Sequence, residues 1–217
     1  MQKTNYFKYY VLSLAVIILD QVVKFAVHNH MALGEEFKVI GDWFKIHHTE
    51  NPGMAFGINP DFKNFKVVLT TFRLFAMFGI GYYIYYLAKQ KVHQGLIWCV
   101  ALILAGAIGN VIDSAFYGVI FDNSPVDAPT PWFHGKVVDM FYFDIWSGPV
   151  AEWVPFWGGK YLFLWPIFNV ADASIFIGVA IILLMQKRFF ANRTEEQTTE
   201  TSSMQEAEAG TETTPTE

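Results

Sequence analysis

The chain has 217 residues, of which 53% are hydrophobic and 18% aromatic, while only 16% carry a charge. This composition excludes an ordinary soluble domain and predicts a protein built into a membrane. Much of the acid behind the formal net charge of −5 lies in the C-terminal tail, so nothing in the rest of the chain favours nucleic acid as a partner.

Four segments are long and apolar enough to cross the roughly 30 Å hydrocarbon core of a bilayer as helices. They cover residues 9–29, 65–87, 94–113 and 167–186. Asp20 and Lys24 interrupt the first segment and no A-x-A site follows it, so we expect it to be retained and not cleaved as a signal peptide. The predicted fold is an all-α membrane protein with four transmembrane helices.

The segments between the helices predict the orientation of the chain. Basic residues flank one set of helix ends, namely Lys3, Lys8, Lys89, Lys91, Lys187, Arg188 and Arg193. By the positive-inside rule both termini are cytoplasmic, and the longer loops at 30–64 and 114–166 are extracytoplasmic. The first of these loops contains "EFKVIGDWFKIHHTEN", whose short β-like runs predict a small sheet on the outer surface.

The C-terminal tail lacks aromatic residues, aliphatic runs and periodicity. We therefore expect a four-helix membrane domain at 1–191 and a disordered cytoplasmic tail at 192–217.

Polar residues inside the predicted helices gather toward the ends that face outside. They are Asp20, Lys24, Arg73, Asn110, Asp113, Asn169 and Asp172. An Asp, Lys or Arg at the centre of a membrane helix costs about 2.5 to 3.5 kcal/mol, so such residues mark functional sites. Their asymmetric placement predicts one polar site near the outer membrane surface, built from all four helices.

Several of these residues have more than one interpretation. Asp20 and Lys24 are four residues apart, so they can pair on one helix face or contact a substrate. Asp113 is better explained as the end of a helix at the interface than as a catalytic group. Arg73 either extends outward to the interface or faces the polar site, and the sequence does not decide between them.

Among the side chains that could carry out catalysis, the sequence favours carboxylates. Cys99, the single cysteine, lies within a predicted helix as a buried thiol, no G-x-S-x-G occurs, and His47 and His48 are adjacent with no H-E-x-x-H. We therefore expect no metal and no cofactor. Asp113, Asp139 and Asp172 remain, and two carboxylates that share a proton can activate a water for attack on a peptide bond. Taken in isolation, two such aspartates are better explained as a helix cap and an interface residue than as a catalytic pair.

Five motifs, taken in order, resemble those of the lipoprotein signal peptidase family, also called signal peptidase II. They are "LDQVVK" at 19–24, "TENPGMAFGI" at 49–58, "GAIGNVID" at 106–113, "KVVDMF" at 136–141 and "FNVADASI" at 168–175. The resemblance implies a bacterial inner-membrane aspartic endopeptidase that removes the signal peptide from diacylglyceryl-modified prolipoproteins, cutting just before the lipidated cysteine. Its partners would be these precursors and membrane lipid.

The resemblance also implies residue roles. Asp139 and Asp172 correspond to the catalytic pair. The residues that correspond to the supporting set are Asp20, Lys24, Asn51, Gly53, Gly109, Asn110, Asn169 and Ala171. The chain departs from the family at Ser114, where an arginine usually follows the aspartate of "GNxxD", and Arg73 is a candidate to supply that charge. The long aromatic loop at 143–163 acts either as a lid or as a spacer resting on the membrane.

Two other functions are consistent with intramembrane acids. A small proton-coupled transporter would also use such groups, although it predicts inverted repeats and a site at the midplane, and the sequence shows no internal repeat. A non-catalytic membrane assembly factor would use the aromatic loops to bind partners.

Overall fold

The computed structural model describes residues 6–53, 65–90, 92–145, 147–154, 158–159, 161–163 and 167–190. In chain order its elements are α1 (Phe7–His30), β1 (Glu36–Ile40), β2 (Phe44–Asn51), α2 (Phe65–Lys89), α3 (Gln94–Ile112), α4 (Gly118–Ile120), β3 (Val137–Phe143), β4 (Ser147–Pro149), β5 (Tyr161–Phe163) and α5 (Val170–Leu184). A π-helical segment, Asp113–Tyr117, joins α3 to α4. The predicted tail at 192–217 lies outside the described residues, as does part of the aromatic loop at 143–163.

Three of the described helices are long and apolar enough to cross a membrane: Phe7–His30, Lys66–Lys89 and Gln94–Ile120. The fourth, α5, is apolar but has 15 residues. At 1.5 Å per residue it extends about 22 Å, which is less than the roughly 30 Å hydrocarbon core. Three of the predicted spans are therefore confirmed as helices of spanning length, and the count of four stays a prediction.

The outward faces of the helices are covered with exposed apolar side chains. They include Leu14, Ile18, Val22, Phe72, Phe75, Phe78, Phe176 and Leu183. A water-soluble protein rarely exposes apolar patches on this scale, whereas lipid tails are a suitable solvent for them. The helices thus form a multi-pass membrane bundle, with α3 packed against α1, α2 and α5.

One end of the bundle brings together the start of α1, the start of α3 and the end of α5. Lys8 donates a hydrogen bond from Nζ to Oε1 of Gln94 at 3.0 Å, and the ring of Phe189 lies 5.1 Å from that of His93. The strands lie at the other ends of the helices in chain order: β1 follows the end of α1, β2 precedes the start of α2, and β5 precedes the start of α5. The arrangement agrees with the predicted grouping of basic helix ends on one side and long loops on the other.

Two glycines allow the backbones of α3 and α5 to lie close together. A Cβ added at Gly106 would lie 2.2 Å from the carbonyl oxygen of Ala171, and one at Gly178 would lie 2.7 Å from the carbonyl oxygen of Cys99. Both distances are far below van der Waals contact, so only glycine permits this packing. Small residues are the usual means by which membrane helices bring their backbones together.

Gly106→Ala is expected to push α3 away from α5 and lower the melting temperature of the purified protein. Because α5 carries Asp172, the same change should reduce any activity that depends on that carboxylate. Gly79→Ala on α2 is the matched control, since an added Cβ there meets nothing within 4 Å. Thermal unfolding in detergent compares the two variants, and equal melting temperatures would contradict the packing argument.

The predicted sheet is present, and it contains a strand that the sequence did not reveal. Its three strands are antiparallel in the order β1-β2-β3. Thr49 of β2 is opposite Asp139 of β3, next to an irregularity in the register between Ile46 and Thr49. Bulges of this kind occur frequently beside active sites. The segment that carries Asp139 is therefore an edge strand of this sheet.

The third α-helix ends at Ile112 with Asp113 as its C-cap, as expected, but the expected place of Asp113 at the membrane interface was wrong. Asp113 is fully buried, and the chain continues through the π-helical segment and α4 before turning at Asp122, whose φ is 52°. No proline lies between Asp113 and Asp122 to end the helical path earlier. Asp113 faces a buried lysine and not the interface, as described below.

Candidate active site

Backbone pairing at Phe168 brings the two sequence-distant aspartates to one place. Phe168 lies just before α5 and exchanges hydrogen bonds with Phe141 of β3, with N–O distances of 2.8 and 3.1 Å. Asp139 is two residues before Phe141, and Asp172 is four residues after Phe168. The start of α5 is thereby fixed against the edge strand.

Asn169 connects the two acidic residues. It caps α5, because its Oδ1 accepts the backbone N–H of Asp172 at 2.9 Å. Its Nδ2 donates to Oδ1 of Asp139 at 2.6 Å. An asparagine is well suited to this position, because its amide group has both an acceptor for the helix N-terminus and a donor for a carboxylate.

Asp139 is almost entirely removed from solvent, with 1% of its surface exposed. Its Oδ2 accepts a second hydrogen bond from Nδ2 of Asn51 at 3.1 Å. Burial raises the pKa of Asp139 to about 7, and the charge of Asp172 acts in the same direction, against the lowering effect of the two asparagine donors. Asp139 therefore retains a proton at a pH where an ordinary aspartate has lost it.

Asp172 differs from Asp139 in that it is only partly buried. Its Oδ1 accepts a hydrogen bond from Nδ2 of Asn110 at 2.8 Å. Oδ1 of Asn110 in turn lies 3.3 Å from Nδ2 of Asn169. The carboxyl groups of Asp139 and Asp172 are thus linked through Asn169 and Asn110. The carboxyl group of Asp139 is buried, and that of Asp172 is partly exposed.

A buried lysine holds one of the two asparagines that link the carboxyl groups. Lys24 is fully buried, and its Nζ lies 2.8 Å from Asp20 and 2.5 Å from Asp113. Nζ also donates to Oδ1 of Asn110 at 3.2 Å. Of the two interpretations of Asp20 and Lys24, the structure shows the pairing, and Asp113 completes a triad around Lys24 that holds Asn110 in place.

Asp20 also anchors the start of α5. Its Oδ1 accepts the backbone N–H of Ala171 at 2.8 Å, which satisfies a donor in the first helical turn that has no partner within the helix. A Cβ added at Gly109 would lie 2.7 Å from Oδ2 of Asp20, so glycine makes room for this carboxylate. These contacts fix the start of α5. Asp20, Gly109 and Ala171 thereby help to set the position of Asp172, which α5 carries.

Two members of this network, Gln21 and Tyr117, were not predicted from the sequence. Nε2 of Gln21 donates to Oδ2 of Asp20 at 3.1 Å and to Oδ1 of Asp113 at 3.0 Å. The hydroxyl of Tyr117 donates to Oε1 of Gln21 at 3.0 Å. The position of Gln21 within "LDQVVK" was the available signal, whereas Tyr117 follows a helix that was expected to have ended.

A turn beside Asp139 approaches α2. Gly53 has a φ of 97°, which favours glycine, and its N–H donates to Oδ1 of Asn51 at 2.8 Å. Its carbonyl oxygen accepts a hydrogen bond from Nη2 of Arg73 at 3.3 Å. Arg73 therefore faces the polar site, whereas Ser114 is fully buried and its Oγ has no hydrogen-bond partner among the described residues.

All ten residues predicted for the site thus belong to one connected set of contacts. Within the described ranges, no group of three or more His, Cys, Asp or Glu side chains is arranged to hold a metal ion. The arrangement provides a buried carboxyl group that retains a proton, a second carboxylate open to water, and donors that fix both.

Comparison with known proteins identifies the family. The model of a family described as signal peptidase (SPase) II matches residues 12–188. The chain belongs to the signal peptidase II family. A lipoprotein signal peptidase of Amoebophilus asiaticus is 47% identical over 180 residues, which are 82% of this chain and 76% of that protein. One from Porphyromonas gingivalis is 44% identical over 187 residues, covering 80% of each chain.

Solved structures agree with this assignment. A bacterial membrane enzyme determined by the in meso method superposes with a TM-score of 0.55 at 27% identity, over 83% of this chain and 89% of that one. A second such structure gives a TM-score of 0.54 at 27% identity, over 82% and 92%. Membership of signal peptidase II makes the chain a membrane protease, which favours the peptidase interpretation over the transporter and the assembly factor.

Proposed function

We propose that this signal peptidase II is an aspartic endopeptidase that removes signal peptides from diacylglyceryl-modified prolipoproteins, with Asp139 and Asp172 as its catalytic pair. One observation carries the proposal: the two carboxyl groups are linked through Asn169 and Asn110, while one is buried and the other is partly exposed. Such a pair holds one proton between its members, and the partial exposure of Asp172 leaves room for water to reach it.

The difference in burial assigns the two roles. Asp172, the more exposed of the two, accepts a proton from the attacking water, whose oxygen bonds to the carbonyl carbon of the scissile peptide. Asp139, which retains its proton, donates it toward the carbonyl oxygen. The C–N bond then breaks as the leaving nitrogen takes the proton that Asp172 accepted, and one hydroxyl of the intermediate returns its proton to Asp139. The products are a carboxyl group on the signal peptide and a free amine on the lipidated cysteine.

The remaining predicted residues have supporting roles in this scheme. Asn51 and Asn169 orient Asp139, Asn110 orients Asp172, and Lys24 fixes Asn110. The residues that set backbone positions are Asp20, Gly53, Gly109 and Ala171. The bundle crosses the bacterial inner membrane four times with both termini in the cytoplasm, and this network lies at the extracytoplasmic face, where a lipidated precursor is exposed.

The proposal is tested with purified protein and two synthetic precursor peptides that differ only in diacylglyceryl modification of the cysteine. We expect cleavage of the modified peptide and little or none of the unmodified one. A transporter or an assembly factor would cleave neither. Absence of cleavage by a protein that remains folded in lipid would overturn the proposal.

The activity should fall as pH rises through about 7. The pKa of Asp139 is raised to about 7, so the proton required for catalysis is present below that pH and is lost above it. The measurement is kcat/KM for the lipidated peptide from about pH 5 to pH 9. A kcat/KM that stays constant or rises across pH 7 would contradict a catalytic proton on Asp139.

A further inference from the structure

Arg73 has a hydrogen-bonding nitrogen that the structure leaves unused. Its Nη2 donates to the carbonyl oxygen of Gly53 at 3.3 Å. Its Nη1 is buried and has no hydrogen-bond partner among the described residues. A buried N–H of a charged group without an acceptor is costly, so it requires an explanation such as a ligand that supplies the acceptor.

A second cation borders the same turn. Nζ of Lys66 donates to the carbonyl oxygen of Pro52 at 2.8 Å. A Cβ added at Gly53 would lie 3.1 Å from this Nζ and 3.2 Å from Nη1 of Arg73. None of the ion pairs in the described part of the chain includes either cation. Nζ of Lys66 thus has an acceptor in the turn, whereas Nη1 of Arg73 has none among the described residues.

The turn connects Arg73 to the acids. Gly53 donates to Asn51, and Asn51 donates to Asp139. The carboxylates whose charge acts on the guanidinium are Asp172, Asp113 and Asp139. An anionic ligand at Nη1 would be repelled by these same carboxylates, so a neutral carbonyl oxygen is the favoured acceptor.

We propose that Arg73 is a substrate-binding residue whose Nη1 donates a hydrogen bond to a carbonyl oxygen of the lipidated precursor. This inference rests on the proposed function. Two parts of the precursor carry such oxygens: the peptide backbone near the scissile bond and the esters of the diacylglyceryl group. In either case the bond holds the precursor against the turn that orients Asp139.

The experiment measures binding of a lipidated precursor peptide to the full chain carrying Asp139→Asn, so that cleavage does not intervene. Adding Arg73→Gln should weaken binding by about ten- to a hundred-fold, the range for a hydrogen bond to a charged group. Arg73→Lys should recover part of the loss, because it keeps the charge without the planar donor fork. Lys66→Met is the matched control and should change binding little, because the hydrogen bond of its Nζ goes to the turn.

Two results would overturn the proposal. The first is unchanged binding in Arg73→Gln. The second is an equal loss in Lys66→Met, since both cations contact the turn and an equal loss would show that Arg73 acts only on its shape. Melting temperatures of all variants are measured, and if Arg73→Gln does not fold, Arg73→Lys provides the comparison with Lys66→Met.

The source of the carbonyl is identified with a precursor whose acyl chains are joined by ether bonds in place of esters. If the penalty of Arg73→Gln persists with this peptide, the acceptor is a backbone carbonyl, and if it disappears, the acceptor is an ester. Failure of this inference is distinct from failure of the proposed function. The wild-type protein would cleave the precursor in the first case and would not cleave it in the second.

Discussion

Asp139→Asn and Asp172→Asn should each lower kcat for a lipidated precursor by about 1,000-fold or more, because each removes one member of a pair that must give and take protons. The asparagine side chains keep nearly the same size and still accept hydrogen bonds from Asn169 or Asn110. The fold should therefore persist. The measurement is kcat with purified protein, together with the amount of folded protein recovered from the membrane.

Asp144→Asn is the matched control for these two variants. Asp144 directly follows the strand that carries Asp139, and it pairs with Lys45 at 2.7 Å on a partly exposed surface. Its loss should leave kcat nearly unchanged. Full activity in Asp139→Asn or in Asp172→Asn would remove that residue from the catalytic pair, whatever the control shows.

Lys24→Met should destabilise the protein by about 3 to 5 kcal/mol, the usual result of removing one partner from a buried ion pair. Asp20 and Asp113 would then lie fully buried without a counter-charge, and Asn110 would lose a donor. We expect a lower melting temperature in detergent and less protein in the membrane. Activity should fall as well, because Asn110 holds Asp172.

Two comparisons isolate the cause of this effect. Lys38→Met removes an exposed lysine that pairs with the exposed Asp42, and it should have almost no effect. Adding Asp20→Asn and Asp113→Asn to Lys24→Met removes the uncompensated charges and should restore much of the stability. A melting temperature of Lys24→Met equal to that of Lys38→Met would contradict the role of the triad.

Much of the site could be predicted from the sequence because polar residues in membrane helices are rare. Asp20, Lys24 and Asn110 are conspicuous in apolar runs, and their position along each helix placed them at the same depth. The pairing of Asp20 with Lys24 also followed from their spacing. The assignment of Asp139 and Asp172 as a pair came from the family motifs and not from composition.

The features of the site that could not be predicted depend on contacts between segments that are far apart in the sequence. Nothing local to "KVVDMF" indicates that it pairs with β2, because strand pairing is fixed by partners elsewhere in the chain. The backbone bonds between Phe168 and Phe141 are of the same kind, and they bring the aspartates together. Asp113 was misinterpreted because its partner, Lys24, had already been assigned to Asp20.

Hydrolysis at the lipidated cysteine is tested by cleaving a lipidated precursor in water enriched in ¹⁸O and identifying both products by mass spectrometry. If Asp172 activates water for attack on the peptide bond before the lipidated cysteine, one ¹⁸O atom will appear in the new carboxyl group of the released signal peptide. The lipopeptide will begin with an unlabelled cysteine that retains both acyl chains. Label in released fatty acid, or a cut at another peptide bond, would contradict the claim.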